Sequence, residues 1–139
     1  MSDLVRFSTS ALDEIRREAA RAYPLEGCGA LLGHQDGHVL EASVLPNAEG
    51  ERPGTRFVVS PADYLSVEEA AEARGLRLLG FWHSHPDHPA RPSATDRQFA
   101  WPGLLTVVVA VAAGRPQEIT AWQVRDGDPF EPVAIAMGS

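Results

Sequence analysis

The sequence has few of the residues that disulfides, thiolate zinc clusters and nucleic-acid interfaces require, and no apolar run long enough for a membrane-spanning helix. Among its 139 residues Cys28 is the only cysteine, so neither an intramolecular disulfide nor a thiolate zinc cluster can form, and a reducing cytosol is the simplest compartment. Lysine and arginine number 12 against 19 acidic residues without forming a basic cluster, so we expect no nucleic-acid partner. The longest apolar run, Leu104 to Ala113, is about half a membrane-spanning helix, and no signal peptide is evident. We therefore expect a cytoplasmic protein without a membrane partner.

Two further absences concern metal chemistry. The H-E-x-x-H motif, in which one helix of a metallopeptidase supplies two ligands and a base, does not occur, so any general base must lie elsewhere. Glu26, at a helix exit just before an apolar strand, is either that base or a surface loop residue. No histidine follows His88, which argues against metal-dependent amidohydrolases because these need later histidines and a much longer barrel.

The residue pattern predicts a single domain over residues 1–139, without repeats or linkers. One helix is expected after an N-cap at Ser8 or Ser10 and stops at Pro24. A second begins at Ser60-Pro61 and stops at Gly75. Strands in runs beside few helices indicate an α+β or α/β sandwich rather than a doubly wound sheet. The other expected elements are a strand at 4–7, a hairpin turning at Asp36-Gly37, strands in RPGTRFVVS, LRLLGFWHSH, LLTVVVAVA, EITAWQV and EPVAIAM, a short helix in ATDRQFA, and a turn at Asp126-Gly127.

The stretch GFWHSHPDHPARPSATD carries the clearest chemical signal. Residues two apart on a strand face the same side, so His83 and His85 should project together, just before Pro86 ends the ladder. A catalytic zinc takes three protein ligands and keeps a fourth position for water, so a third ligand is needed. Asp96 is the best candidate, although SATD also has the form of a capping box with Ser93 at the N-cap. Spacing alone leaves both interpretations of Ser93 and Asp96 open.

Other polar residues give weaker signals. His34 and His38 flank the hairpin turn and are expected to be exposed rather than to bind metal. Asp87 and His88 lie in the proline-rich loop and are expected to form a solvated loop tip, with a place in the lining of a cleft as the alternative. Cys28 is expected to be a small buried packing residue rather than a reactive thiol.

These residues together resemble the signature of the JAMM (MPN+) metallopeptidases. That signature is a glutamate before an apolar strand, then His-x-His, seven residues, a serine, two residues and an aspartate. Here Glu26, His83, His85, Ser93 and Asp96 fill the five positions, and the flanks EGCGALLG and GFWHSHP also look like the family. The resemblance runs from the first helix to about position 124. It implies an α/β sandwich of the α+β type: a curved mixed sheet flanked by helices, the cytidine-deaminase-like MPN fold.

The resemblance also implies a mechanism. It implies one Zn²⁺ per chain, held by His83, His85 and Asp96, with water in the fourth position. Glu26 would take the proton from that water and pass it to the leaving amine, while Ser93 would donate a hydrogen bond to the oxyanion. The reaction would be amide hydrolysis without a covalent enzyme intermediate.

The compact chain looks like the small prokaryotic members of the family. The implied substrate is a ubiquitin-like or sulfur-carrier protein whose Gly-Gly C-terminal tail lies extended in a narrow groove as an added strand. One alternative is a non-catalytic MPN-type interaction scaffold, but such modules typically lack one or more of the five residues. Another is a DNA-repair-associated hydrolase, against which the missing basic patch counts. A homodimer is expected only by analogy with the family. The sequence does not decide whether Arg56 and Ser84 contact the substrate.

Overall fold

The computed structural model describes residues 4–46, 59–93, 101, 103–123 and 130–138. Most of the strand expected in RPGTRFVVS, the short helix expected in ATDRQFA and the expected Asp126-Gly127 turn lie outside these residues. Within them the elements follow in the order β1 (Leu4–Phe7), α1 (Thr9–Ala22), β2 (Cys28–Gly33), β3 (Val39–Ala42), α2 (Pro61–Ala73), β4 (Arg77–Pro86), β5 (Leu105–Ala112), β6 (Arg115–Gln123) and β7 (Glu131–Met137).

The strands form one mixed sheet in the order β1-β3-β2-β4-β5-β6-β7. The sheet closes on itself because β1 pairs in parallel with β7 on one side and with β3 on the other. At its centre β4 runs antiparallel to β2 and parallel to β5. The curved mixed sheet flanked by helices is confirmed, and its curvature goes as far as closure.

Helix α1 packs against the sheet in the main hydrophobic core. Of the two serines expected as its N-cap, Ser8 takes the role, because its Oγ accepts a hydrogen bond from the Ala11 N–H at 3.1 Å. The helix ends before Tyr23, whose extended backbone suits a residue that precedes proline. Its apolar side packs in the main core against β3, β4, β5 and β6, with Phe7, Leu12, Ile15, Ala19, Leu31, Val39, Trp82, Val107 and Val109 among the buried residues.

Helix α2 covers the opposite face of β4. Trp82 points into the core around α1, whereas its neighbour Phe81 packs in a second cluster with Ala71 of α2, as alternation along a strand requires. The expected N-cap is confirmed, since the Ser60 Oγ accepts from the Asp63 N–H at 3.1 Å. Gly75, with φ at +74°, follows the last turn. Neither helix described here combines the length and the apolar character needed to cross a membrane.

Two strand boundaries differ from those expected. β4 continues through Pro86, which pairs with Val111 as the last residue of the strand, a position where a missing N–H donor is tolerated. β6 begins at Arg115 rather than at the EITAWQV segment, because Ala113 and Gly114, with φ at +51° and +81°, turn β5 straight back into β6. Alanine is not a sequence signal for positive φ, so the pattern does not predict this turn.

Candidate active site

Two imidazoles lie side by side at the carboxyl end of β4. The ring centroids of His83 and His85 are 5.1 Å apart with their planes inclined at 51°. His83 is fully buried and His85 is half-buried. Strand alternation places both on the face that also carries Phe81 and α2, as expected from their spacing.

The orientation of the His85 ring follows from a hydrogen bond. Its Nδ1 lies 2.8 Å from the carbonyl oxygen of Pro89. A carbonyl oxygen only accepts, so Nδ1 carries a proton, and in the neutral ring the lone pair is then on Nε2. A histidine held in this tautomer by its backbone partner is the form that ligates metals through Nε2.

The chain before β2 is joined to the histidine end of β4. Cys28 pairs with His83 across the antiparallel ladder. Beyond that pair the Ser84 N–H donates to the Gly27 carbonyl at 3.0 Å, and the Gly27 N–H donates to the Ser84 Oγ at 2.8 Å. Glu26, which is half-buried, immediately precedes Gly27 and is thereby carried to the strand end that bears the histidines.

Cys28 is buried, as expected, and its thiol donates a hydrogen bond to the Leu45 carbonyl at 3.2 Å. Burial raises the pKa of this thiol to about 12, and the negative charges of Glu26 and then Asp63 add to the effect. The thiol is therefore neutral at physiological pH.

Asp87 organises the loop that follows β4. Its Oδ1 accepts from the Ala113 N–H at 2.9 Å and its Oδ2 from the Tyr23 hydroxyl at 2.7 Å. These two bonds, the Ala113 one first, lower the pKa of Asp87, and the bond to Asp87 raises the pKa of Tyr23. Asp87 is exposed, yet its carboxylate is an anchor rather than a solvated loop tip. Its partners are 64 and 26 positions away, so no local sequence signal marks it.

A second anchor holds the same loop further along. Ala90 is fully buried against Val108 and Ala110 of β5, and its carbonyl accepts from the Thr120 hydroxyl at 2.7 Å. Trp122 Nε1 donates to that hydroxyl at 2.8 Å, which fixes its direction. The loop between the histidines and the predicted serine is therefore tied to both β5 and β6.

Ser93 and Asp96 are the other two predicted site residues. Ser93 is exposed at the end of this loop. Asp96 lies outside the described residues, so its predicted contact with a metal stays a prediction. Within residues 4–46, 59–93, 101, 103–123 and 130–138 no three histidine, cysteine or acidic side chains form a metal-binding group.

The donors that are described fit a zinc ion. Two imidazoles on one strand face, one buried and one oriented by a backbone carbonyl, are ligands that Zn²⁺ prefers. Two protein ligands leave room for a carboxylate and a water molecule in a tetrahedral catalytic site.

A groove of about 540 Å³ opens on another part of the surface. It runs along β6 and β7 and is lined in part by Ala90 and Arg91, which belong to the loop leading to Ser93. Glu26, His83 and His85 do not line it. It is therefore distinct from the histidine site.

Residues 8–125 match the family described as prokaryotic homologues of the JAB domain, a span that includes all five predicted site positions. The chain belongs to the prokaryotic JAB family. A desampylase from Haloferax volcanii is 34% identical over 129 residues, covering 92% of this chain and 89% of that protein. A CysO-cysteine peptidase from Mycobacterium tuberculosis is 29% identical, with 78% of this chain and 75% of that protein covered.

Solved structures show the same fold. A protein from Salinibacter ruber is 40% identical with a TM-score of 0.75, covering 97% of this chain and 92% of that one. A JAB1/MPN domain protein from Archaeoglobus fulgidus has a TM-score of 0.62 at 21% identity, covering 95% and 97%, and shows the fold alone. The predicted family, fold class and hydrolase character are confirmed. The predicted site residues stay predictions.

Proposed function

We propose that the chain is a zinc-dependent peptidase that hydrolyses the peptide or isopeptide bond after the C-terminal Gly-Gly of a ubiquitin-like or sulfur-carrier protein. The observation that carries the proposal is the Gly27–Ser84 contact, which joins the Glu26 segment to the strand end bearing His83 and His85. Relatives named desampylase and CysO-cysteine peptidase support the substrate class.

In this proposal His83, His85 and Asp96 hold the metal. A Zn²⁺ ion supplies Lewis acidity there and lowers the pKa of a water molecule to about 7. The Pro89 carbonyl keeps Nε2 of His85 available, as the hydrogen bond at Nδ1 requires.

Glu26 is the proposed general base and then the general acid. Its carboxylate accepts a proton from the attacking water and later donates it to the departing nitrogen, so the glutamate ends in its starting state. The C–N bond breaks, the water oxygen stays on the glycine carbonyl carbon, and the products are a carboxylate and an amine. Ser93 donates a hydrogen bond to the oxygen that gains charge during attack.

The chain's other ionisable neighbour does not compete for this role. The Cys28 thiol is buried and bonded to the Leu45 carbonyl, and its pKa is raised to about 12. A buried thiol of this kind is a packing residue rather than a nucleophile.

The test is incubation of the purified chain with ubiquitin-like carriers that bear an amino acid or peptide after Gly-Gly, with products read by intact mass. We expect loss of the extension, and elemental analysis should find about one zinc per chain. Glu26→Gln should keep the zinc and abolish turnover, whereas Glu69→Gln, on the exposed side of α2, should leave both unchanged. Full activity of Glu26→Gln, or of zinc-free protein, would contradict the mechanism.

A stable complex with a carrier but no cleavage by the zinc-loaded chain would instead favour the scaffold alternative. The cytoplasmic location, the single-domain extent and a homodimer stay predictions.

A further inference from the structure

We propose that Tyr23 and Asp87 form a positioning pair that holds the Glu26 segment against the histidine end of β4. The proposal rests on the proposed function, because it explains how the general base is kept in place. Neither residue belongs to the five-residue signature.

The segment from Tyr23 to Gly27 is attached at one end to β4 and at the other to Asp87, the residue that follows β4. At the Gly27 end two hydrogen bonds to Ser84, of 2.8 and 3.0 Å, form the attachment. At the Tyr23 end the hydroxyl donates to Asp87 Oδ2 at 2.7 Å. Glu26 lies between these attachments, so its backbone position relative to the histidines depends on both.

Asp87 is itself a rigid acceptor. Its N–H donates to the Val111 carbonyl at 2.6 Å, and its Oδ1 accepts from the Ala113 N–H at 2.9 Å. Its φ of +58° is a conformation that aspartate tolerates better than most residues. Two hydrogen bonds thus fix Asp87 at the end of β5, and its Oδ2 accepts the third bond, from the Tyr23 hydroxyl.

The Tyr23 ring is located by the same turn. A Cβ atom added to Gly114 would lie 3.7 Å from Cδ1 of Tyr23, so the ring packs beside the β5–β6 turn that supplies the Ala113 donor. Three parts of the chain therefore meet at this point: the end of α1, the loop after His85 and the β5–β6 turn.

Such an anchor matters because a general base must stay within hydrogen-bonding reach of the proton that it removes. A misplacement of about 1 Å can cost about a hundredfold in rate even when the substitution lies away from the chemistry. Without the Tyr23 hydroxyl, the Glu26 segment keeps its Gly27 attachment and gains freedom at the other end.

The variant that tests the pair is Tyr23→Phe, with Tyr64→Phe as its matched control, because Tyr64 packs in the second cluster with Phe81 and Trp101, whereas Tyr23 packs against the main core. In Tyr23→Phe we expect kcat to fall about tenfold with KM and zinc content unchanged. Amide exchange of residues 25–27 should become about tenfold faster in metal-free protein, while β2 keeps its protection. A purely structural role would lower the melting temperature without changing kcat.

A double-mutant cycle provides the second arm. Asp87→Gly keeps the positive φ accessible while removing the carboxylate, and its loss of kcat should not add to that of Tyr23→Phe. Asp87→Asn, which can still accept from Ala113 and bond to Tyr23, should retain most of the activity.

If the wild type is active and Tyr23→Phe changes neither kcat nor amide exchange, the positioning pair is overturned and the proposed function is not. Additive losses in the cycle would also overturn it. A wild type that binds zinc but cleaves no carrier would overturn the proposed function, and with it the catalytic purpose of the pair, whatever the exchange rates show.

Discussion

Ser84 stands between the two predicted histidine ligands and bonds Gly27 twice, through its N–H at 3.0 Å and through its hydroxyl at 2.8 Å. It is fully buried, so neither bond is replaced easily by water. The residue that the histidine motif leaves unspecified is therefore the one that joins the ligand-bearing strand to the segment of the proposed base.

Ser84→Ala should lower both stability and turnover. Removal of the hydroxyl takes the acceptor from the Gly27 N–H, which should cost about 1 kcal/mol of unfolding free energy in a urea titration. We also expect a lower kcat at unchanged zinc content, because the Glu26 segment loosens. Ser66→Ala, exposed on α2, is the control and should change neither quantity. Equal kcat in wild type and Ser84→Ala would contradict this role.

Removal of either histidine should remove the metal. We expect His83→Ala and His85→Ala to reduce zinc from about one per chain to background in elemental analysis, because two ligands hold Zn²⁺ poorly. Asp96→Ala should do the same. His34→Ala, exposed at the β2–β3 hairpin, is the matched control and should keep its zinc. If Asp96→Ala retains the metal fully, the third ligand lies elsewhere.

Cys28 should make the fold sensitive to alkaline pH. Its folded pKa of about 12 lies above the ordinary value of 9.0, so the native state keeps a proton that the unfolded chain releases. The stabilising contribution is complete below pH 9.0 and is lost as the pH rises toward about 12, at up to about 1.4 kcal/mol per pH unit.

The measurement is unfolding free energy against pH for wild type and Cys28→Ala. The wild type should lose stability more steeply above pH 9.0. In agreement with that, the native thiol should resist alkylation at pH 8 and react on unfolding. Parallel curves for the two proteins would show that the thiol ionises normally.

Gly29 should be intolerant of any side chain. A Cβ atom there would overlap the Ser43 carbonyl oxygen and the indole Nε1 of Trp82, which are themselves bonded at 2.9 Å. We expect Gly29→Ala to lose about 3 kcal/mol or more, measured by denaturant unfolding. Gly75→Ala meets open space and strains only a φ of +74°, so it should lose about 1 kcal/mol. Equal losses of unfolding free energy in the two variants would show that β2 and β3 move apart without an energetic cost.

Local patterns predicted the elements whose causes are local. The Ser60 cap, the Pro24 stop and the shared face of His83 and His85 each follow from neighbours within a few residues, and the structure contains all three. The β6 boundary was missed because Ala113 adopts positive φ only under the constraint of the pairing on either side.

By itself the sequence determined which functional groups are available: two imidazoles on one strand face, a glutamate before an apolar strand, and a Ser-x-x-Asp motif. The resemblance predicts that this serine is an oxyanion donor and this aspartate a metal ligand. Only the tertiary structure decided how the glutamate segment is held to the histidine strand. Ser84 with Gly27 and Tyr23 with Asp87 are separated by 57 and 64 positions, and such partners meet only once the closed sheet and α1 have packed. A hydrogen bond between distant residues leaves no periodicity in the sequence, so its existence is a property of the fold.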